Sequence, residues 1–243
     1  MSPHLATPLL AGFPQIIYGS PYLRALLNRY LGRSVVNHIL AGASDADEQV
    51  IYASVLFADI RDFTALAEAT DERELFHEVN EYYNLLDDVI TRYGGVINDF
   101  GGDSILALFG APSPLEDHAA AALYAAADIM RELVHLNDER ALRSRPAFRV
   151  GIGVNSGRMV MGNFGSQTRQ TFTVIGDCVN SANRLSDLSK NTPFYSIFAS
   201  QQTMSDVQTE LPNEWLIDEL GDIFVRGRTK ALLTYAIMPD AFM

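Results

Sequence analysis

Apolar positions in this chain change period several times, and each change marks a different element. VIYASVLFADI (50–60) is apolar almost throughout and closes on an acid, the pattern of a central strand buried on both faces. Over 71–95 the spacing becomes three and four. Leu75, Phe76, Val79, Tyr82, Tyr83, Leu86, Val89 and Ile90 then share one stripe, which predicts an amphipathic helix stopped by Gly94 and Gly95. GVINDFGGDSILALFG (95–110) reads as a hairpin, two strands around Gly101–Gly102. A second long helix is predicted over the alanine-rich stretch 116–136. FRVGIGVNSG (148–157) is a strand. TFTVIGDCVNSANRLSDLSK (171–190) is a strand, a glycine turn and a helix with Val179, Ala182, Leu185 and Leu188 inward. Short strands are expected near 195–198, 214–218, 222–226 and 233–238, with a helix near 200–208.

Ahead of these, residues 17–40 repeat apolar residues at mixed spacings of three and four. That predicts one or two amphipathic helices, either packed on the main domain or serving as a dimerising or signal-transmitting segment. Residues 1–16 read as an irregular tail and 41–49 as a polar linker, so 1–46 is taken as a lead-in and 47–243 as the main domain. Strands and helices mix without strict βαβ alternation, which points to an α+β class: one mixed sheet with helices on its faces.

Composition narrows the function classes. The apolar fraction of 48% and charged fraction of 20% are those of a folded globular chain. A single cysteine, Cys178, excludes an intrachain disulfide and fits a reducing cytoplasmic setting. The formal charge of -12 argues against coating a nucleic acid, and no apolar run approaches the ~20 residues that span a bilayer. The five histidines are scattered without metal-ligand spacing.

Two acids have an expected chemistry. Asp59 closes the buried strand, and Asp103 sits just past the hairpin tip. Neighbouring strands could bring them together as an oxygen site for Mg²⁺, which is usually held by one or two carboxylates plus substrate phosphates. Alone, each has an ordinary reading, Asp59 as a helix cap and Asp103 as a turn residue. Phe63 and Thr64 open the segment after Asp59, a predicted helix whose first N–H groups would face such phosphates.

Taken together, VLFADIRDFT, INDFGGDSILALFGAP, FRVGIGVNSG and FTVIGDCVNSANRL, followed by VRGRTKALLTYAI, resemble the catalytic domain of class III nucleotidyl cyclases over about residues 47–239. The resemblance implies a ferredoxin-like α+β domain acting as a homodimer, with active sites at the interface. It implies two Mg²⁺ or Mn²⁺ ions per site, held by Asp59, Asp103 and the carbonyl of Ile60. It implies that Arg149 contacts the triphosphate from the same chain. The other chain would supply Asn180, orienting the ribose, and Arg184, stabilising charge on the α-phosphate. Arg228 stands where a lysine usually binds the terminal phosphates. The implied reaction makes a 3′,5′-cyclic nucleotide and pyrophosphate from a nucleoside triphosphate, with no protein nucleophile, so Cys178 is read as a packing or turn residue. FGGDS is also similar to the GGDEF motif of diguanylate cyclases, but the rest of that motif is missing.

Two positions in these cyclases read the base. Thr173 is a variant found in bacterial adenylyl cyclases. Asp99 stands where they carry lysine. Against adenine N1, a carboxylate sets acceptor against acceptor, a mismatch of about 1–3 kcal/mol. Against guanine it can accept from N1–H and the 2-amino group. The family background points to ATP, the hydrogen-bond pattern to GTP, and a weakly active or inactive dimerising domain is a third reading. Asp99→Lys is expected to raise the ATP:GTP turnover ratio by about tenfold to a hundredfold, measured as cAMP and cGMP formed from each substrate. An unmoved ratio would mean that Asp99 does not read the base.

Overall fold

The computed structural model describes residues 20–40, 48–166, 168–192, 194–224 and 231–239. The expected tail and most of the expected linker lie outside these residues. The chain divides into two units, one of residues 1–49 with 161–173, the other of 50–160 with 174–243.

In the smaller unit, the lead-in forms two helices, α1 (Pro21–Leu31) and α2 (Arg33–Leu40). Ser20 caps the first, its Oγ accepting from the Leu23 amide at 3.3 Å, with proline at the start where no N–H is needed. Val36 and Leu40 are buried against Leu23 and Leu27, whereas Tyr22 and Tyr30 face outward.

The strands are β1 (Gln49–Ile60), β2 (Val96–Gly101), β3 (Ser104–Phe109), β4 (Val150–Gly165), β5 (Gln170–Ile175), β6 (Ile197–Ser200), β7 (Leu216–Ile223) and β8 (Leu232–Met238). They make one sheet in the order β2-β3-β1-β4-β6-β8-β7, with β5 added to β4. β4 and β6 are parallel, while β1–β3, β2–β3, β6–β8 and β7–β8 are antiparallel, so the sheet is mixed as expected. β1 is central, and Ala53, Val55, Leu56, Ala58 and Ile60 are buried along it. Where two strands were expected over 214–218 and 222–226, there is one, β7. An irregularity between Glu219 and Gly221 breaks its register, and that break has the look of a turn in the sequence. Positions 225 and 226 lie outside the described residues.

The helices of the larger unit are α3 (Phe63–Ala69), α4 (Glu72–Arg92), α5 (His118–Leu142), α6 (Asp177–Leu188) and α7 (Gln201–Asp206). In α4 the inward face carries Tyr82, Leu86, Val89 and Ile90 as predicted. Phe76 is a correction: it is 67% exposed, and the buried place on the stripe belongs to Glu78. Residues 75, 78, 82, 86 and 89 lie on one line of a 3.6-residue helix, and Phe76 falls beside it. Glu78 is tolerated inside because Arg140 donates to its Oε2 at 3.2 Å. Arg140 is buried too, donates to the Pro146 carbonyl at 2.8 Å, and lies 3.6 Å over the Phe148 ring. That anchor lies on the stretch by which α5 outruns its expected end at 136.

α6 lies along β4 with no space for side chains between them. A Cβ on Gly153 would meet the Ala182 carbonyl oxygen at 2.0 Å, and one on Gly151 the Ser189 Oγ at 1.9 Å. Among the described residues, no helix is long and apolar enough to cross a membrane.

Glu78→Ala should strand the Arg140 charge in the interior and cost about 3–5 kcal/mol in denaturant unfolding. Adding Arg140→Met to it should recover much of that loss. An unchanged unfolding midpoint for Glu78→Ala would show that the pair does not hold α4 to α5.

Candidate active site

Asp59 and Asp103 reach the same place by different routes. Asp59 is the penultimate residue of β1, paired in register with Ser104 of β3. Asp103 is in the turn just before β3, where Gly102 takes φ +76° and the Asp103 amide donates to the Gly101 carbonyl at 3.0 Å. The Ile60 amide donates to the Asp103 carbonyl at 3.1 Å, locking the turn to the end of β1. Tyr83 steadies the hairpin tip, its hydroxyl donating to the Gly102 carbonyl at 2.6 Å and its ring set 4.8 Å from that of Phe100.

Burial lifts the Asp59 carboxyl above the ordinary carboxylate range, and the neighbouring Asp103 charge adds to the rise. Lys190 opposes it: its Nζ lies 3.2 Å from Asp59 Oδ2 and 2.6 Å from Asp187 Oδ1. The lysine is itself held above its usual range, first by Asp187 and then by Asp59. Both partners shift upward because burial and Asp103 together outweigh the single ammonium at Asp59. The Tyr82 hydroxyl is fully buried, feels both acids, and has no hydrogen-bond partner among the described residues.

This donor set fits a hard divalent cation. Among the described residues no group of three or more histidines, cysteines or acids could cage a metal, and a pair of acids is what Mg²⁺ uses when substrate phosphates complete its shell.

Beside the acids lies a cationic corner. The Arg61 amide donates to the Arg149 carbonyl at 2.7 Å. Arg61 is half-buried, its guanidinium donating to the Tyr195 carbonyl at 3.0 Å and to Ser196 Oγ at 2.9 Å. Arg149 is exposed and ion-paired with Asp62. Asp62 sits ahead of α3 at φ 58° and leaves that helix uncapped, since its carboxylate is turned to Arg149. Phe63 packs against the core and Thr64 is exposed, so what the pair shares is its place at the uncapped start of α3. A surface cavity of about 200 Å³ includes Arg61 and Arg149. One of about 290 Å³, lined by Met130, Phe194 and Ile237 among others, contains none of the site residues.

Asn180 and Arg184 lie elsewhere. They are on α6, Asn180 exposed and Arg184 partly so. The register of α6 on β4 fixes their distance: Ser189 sits at Gly151, Ala182 at Gly153 and Cys178 at Gly157. Six strand residues cover about 20 Å. Asn180 is thus over the far part of that span, while Lys190 and Arg149 are at the Asp59 end. Cys178 is buried, donates to the Asn155 carbonyl and has its thiol pushed up to about 12 by burial, which suits a packing residue.

Asp99 is exposed on β2, at the edge of the sheet, just after a register shift between Ile97 and Asp99. Its Oδ1 accepts from the Phe100 amide at 3.0 Å. Thr173 is partly exposed on β5 and belongs to the smaller unit. Arg228 lies outside the described residues. Sequence reasoning missed Lys190, because KN after a helix with an aspartate three residues back has the form of an ordinary surface pair.

The sequence profile described as "Adenylate and Guanylate cyclase catalytic domain" matches residues 46–239. The chain belongs to this family. It is 32% identical over 188 residues to an adenylate cyclase of Anabaena cylindrica, covering 76% of this chain and 36% of that protein. Among solved structures, the adenylyl cyclase CyaB of P. aeruginosa is 28% identical with a TM-score of 0.71, covering 79% of this chain and 96% of that one. The guanylyl cyclase Cya2 is 27% identical with a TM-score of 0.69, covering 79% and 94%. The fold is therefore that of the class III cyclases, and the domain is a cyclase catalytic domain. The chain spans about a third of the length of the curated relatives it matches.

In the metal-free protein at pH 7, Asp103→Asn should raise stability by up to about 1 kcal/mol, because it removes one of two adjacent charges. Thermal melting checks this, and a lower melting temperature would mean that the two carboxylates do not repel.

Proposed function

We propose that this domain cyclises a purine nucleoside triphosphate, ATP before GTP, in a homodimer whose two sites each draw on both chains. The observation that carries the reading is the separation along β4. Asp59, Asp103 and Arg149 gather at one end of the α6 contact, whereas Asn180, well before Ser189 on the helix, is set about 14 Å along it. In this reading a nucleotide held by the first group meets Asn180 and Arg184 of another chain, the head-to-tail arrangement that the family resemblance implies.

In this reading Asp59, Asp103 and the Ile60 carbonyl would hold two Mg²⁺ or Mn²⁺ ions. When bound, these acidify the 3′-hydroxyl and neutralise phosphate charge. Arg149 leaves Asp62 for the triphosphate, and the amides at Phe63 and Thr64 face the same phosphates. The partner subunit's Asn180 orients the ribose. Arg184 of the partner subunit, one helical turn on, meets the charge that builds on the α-phosphate. Arg228 is assigned to the terminal phosphates on sequence grounds. The 3′-oxygen forms a bond to the α-phosphorus, its proton passes to solvent, and the bond to the bridging oxygen breaks, so that pyrophosphate leaves with the electron pair. A cytoplasmic setting, where such triphosphates are abundant, goes with this reading.

ATP is placed first on the family background, since the relatives matched include an adenylate cyclase and an adenylyl cyclase. GTP is the second reading, since the Asp99 carboxylate oxygen not engaged by the Phe100 amide remains an acceptor and Thr173 can donate to O6. Product formation from both nucleotides with Mg²⁺ and Mn²⁺ separates the two. Neither product from a confirmed dimer would leave a dimerising domain without turnover.

Asp59→Ala and Arg184→Ala should each lower turnover by about a hundredfold or more, and mixing the two should restore activity through one hybrid site with all its parts. Cyclic nucleotide production by the mixture is the measurement. No recovery in a mixture shown to exchange subunits would refute the shared site.

A further inference from the structure

Lys190 carries no role in the reaction as described, yet it occupies the strongest position in the site. Its ammonium stands between two carboxylates, 3.2 Å from Asp59 Oδ2 and 2.6 Å from Asp187 Oδ1. The three groups differ in exposure: the Asp59 side chain is 15% exposed, that of Lys190 47%, and that of Asp187 51%. One end of the bridge is thus a mostly buried acid that needs a positive partner, and the other is a solvated acid close to the lysine along the chain. The ammonium is not brought here by chance flexibility. Ser189, next to it, is pinned by its Oγ to the Ser186 carbonyl at 2.7 Å and sits against Gly151 of β4, so the backbone that carries Lys190 is set beside the end of β1.

We propose that Lys190 is a positioning residue that holds the Asp59 carboxylate as a built-in counter-ion and gives it up to the divalent cation. The inference rests on the reading of Asp59 and Asp103 as metal ligands. Asp59 faces one acid neighbour and one base; with the base removed, two adjacent carboxylates share a poorly solvated place. A divalent cation and an ammonium cannot both lie against the same carboxylate oxygen without strong repulsion. Binding one therefore displaces the other, and Asp187 keeps the displaced ammonium close by. Lys190 thus sets the apparent metal affinity of the free enzyme and keeps Asp59 in its ligand-ready place before the metal arrives.

The test is titration of the full chain with MnCl₂ alone, without nucleotide, followed by electron paramagnetic resonance of free Mn²⁺ and by thermal melting. Lys190→Met keeps the length of the side chain and removes its charge. It is expected to bind Mn²⁺ about fivefold to tenfold more tightly than the unmodified protein. It should melt lower without metal, and that difference should close as Mn²⁺ saturates the site, since the metal replaces the missing charge. A lysine that merely braced the α6 terminus would leave the melting difference constant at all metal concentrations, and that result, or Mn²⁺ affinity that is equal or weaker, overturns the proposal. Asp103→Asn distinguishes the two levels of failure. If Mn²⁺ binding does not depend on Asp103, the metal site itself is wrong and the inference falls with it. If neither protein binds Mn²⁺, the nucleotide-free protein has no metal for Lys190 to yield to, and the inference falls while the two acids keep their place as ligands beside bound phosphates. If binding depends on Asp103 but not on Lys190, the metal site stands and only the counter-ion role is lost.

Discussion

Helix α6 touches β4 backbone to backbone, and the arrangement of the site follows from that contact. Gly151 and Gly153 supply the clearance: any side chain at either position would run into the helix, at distances no packed atoms tolerate. With the helix seated so closely, its register on the strand cannot slide. Lys190 is thereby fixed beside the end of β1, and Asn180 is fixed well away from it. A looser packing would let the two ends of α6 wander by the few ångströms that separate a working phosphoryl-transfer geometry from an idle one.

Around this contact the charges are arranged against one another. Asp59 is pushed up by burial and by Asp103, and is answered by one ammonium. Arg149 waits on Asp62, and Arg61 is tied back to the carbonyl and hydroxyl that precede β6. The Arg149–Asp62 and Lys190–Asp187 pairs are exposed enough to be broken at small cost when ligand charges arrive. The Glu78–Arg140 pair is of another kind: both members are buried, and it serves to join α4 to α5. The protein thus keeps exchangeable ion pairs at the site and a permanent one in the scaffold.

What could be read from the sequence was what depends on neighbours along the chain. The apolar run of β1, the stripe of α4 and the glycines of the hairpin are local patterns, and each became the element expected. The meeting of Asp59 and Asp103 was open in the sequence as a possibility only, since it depends on the pairing of β1 with β3, two strands distant along the chain. What failed were patterns whose cause lies far away. Glu78 looked solvent-facing because its partner is 62 residues distant, and Phe76 took its place on paper. Lys190 was invisible for the same reason, with Asp187 close by to explain it as a surface pair. Gly221, at φ 78°, bends β7 without ending it, which mimics a turn.

Asn180 and Arg184 on α6 and Lys190, in the short turn just past its last residue, have different allegiances. In a homodimer of the proposed kind, Lys190 answers to the metal acids of its own chain, while Asn180 and Arg184 answer to the nucleotide bound mainly by the other. A rigid helix seated without clearance cannot move at one end alone. Any backbone shift that follows the exchange of ammonium for cation in one site would be carried along the helix axis to the groups that serve the other. Such a link would run through a dozen residues of helix and need no hinge, no loop and no third partner.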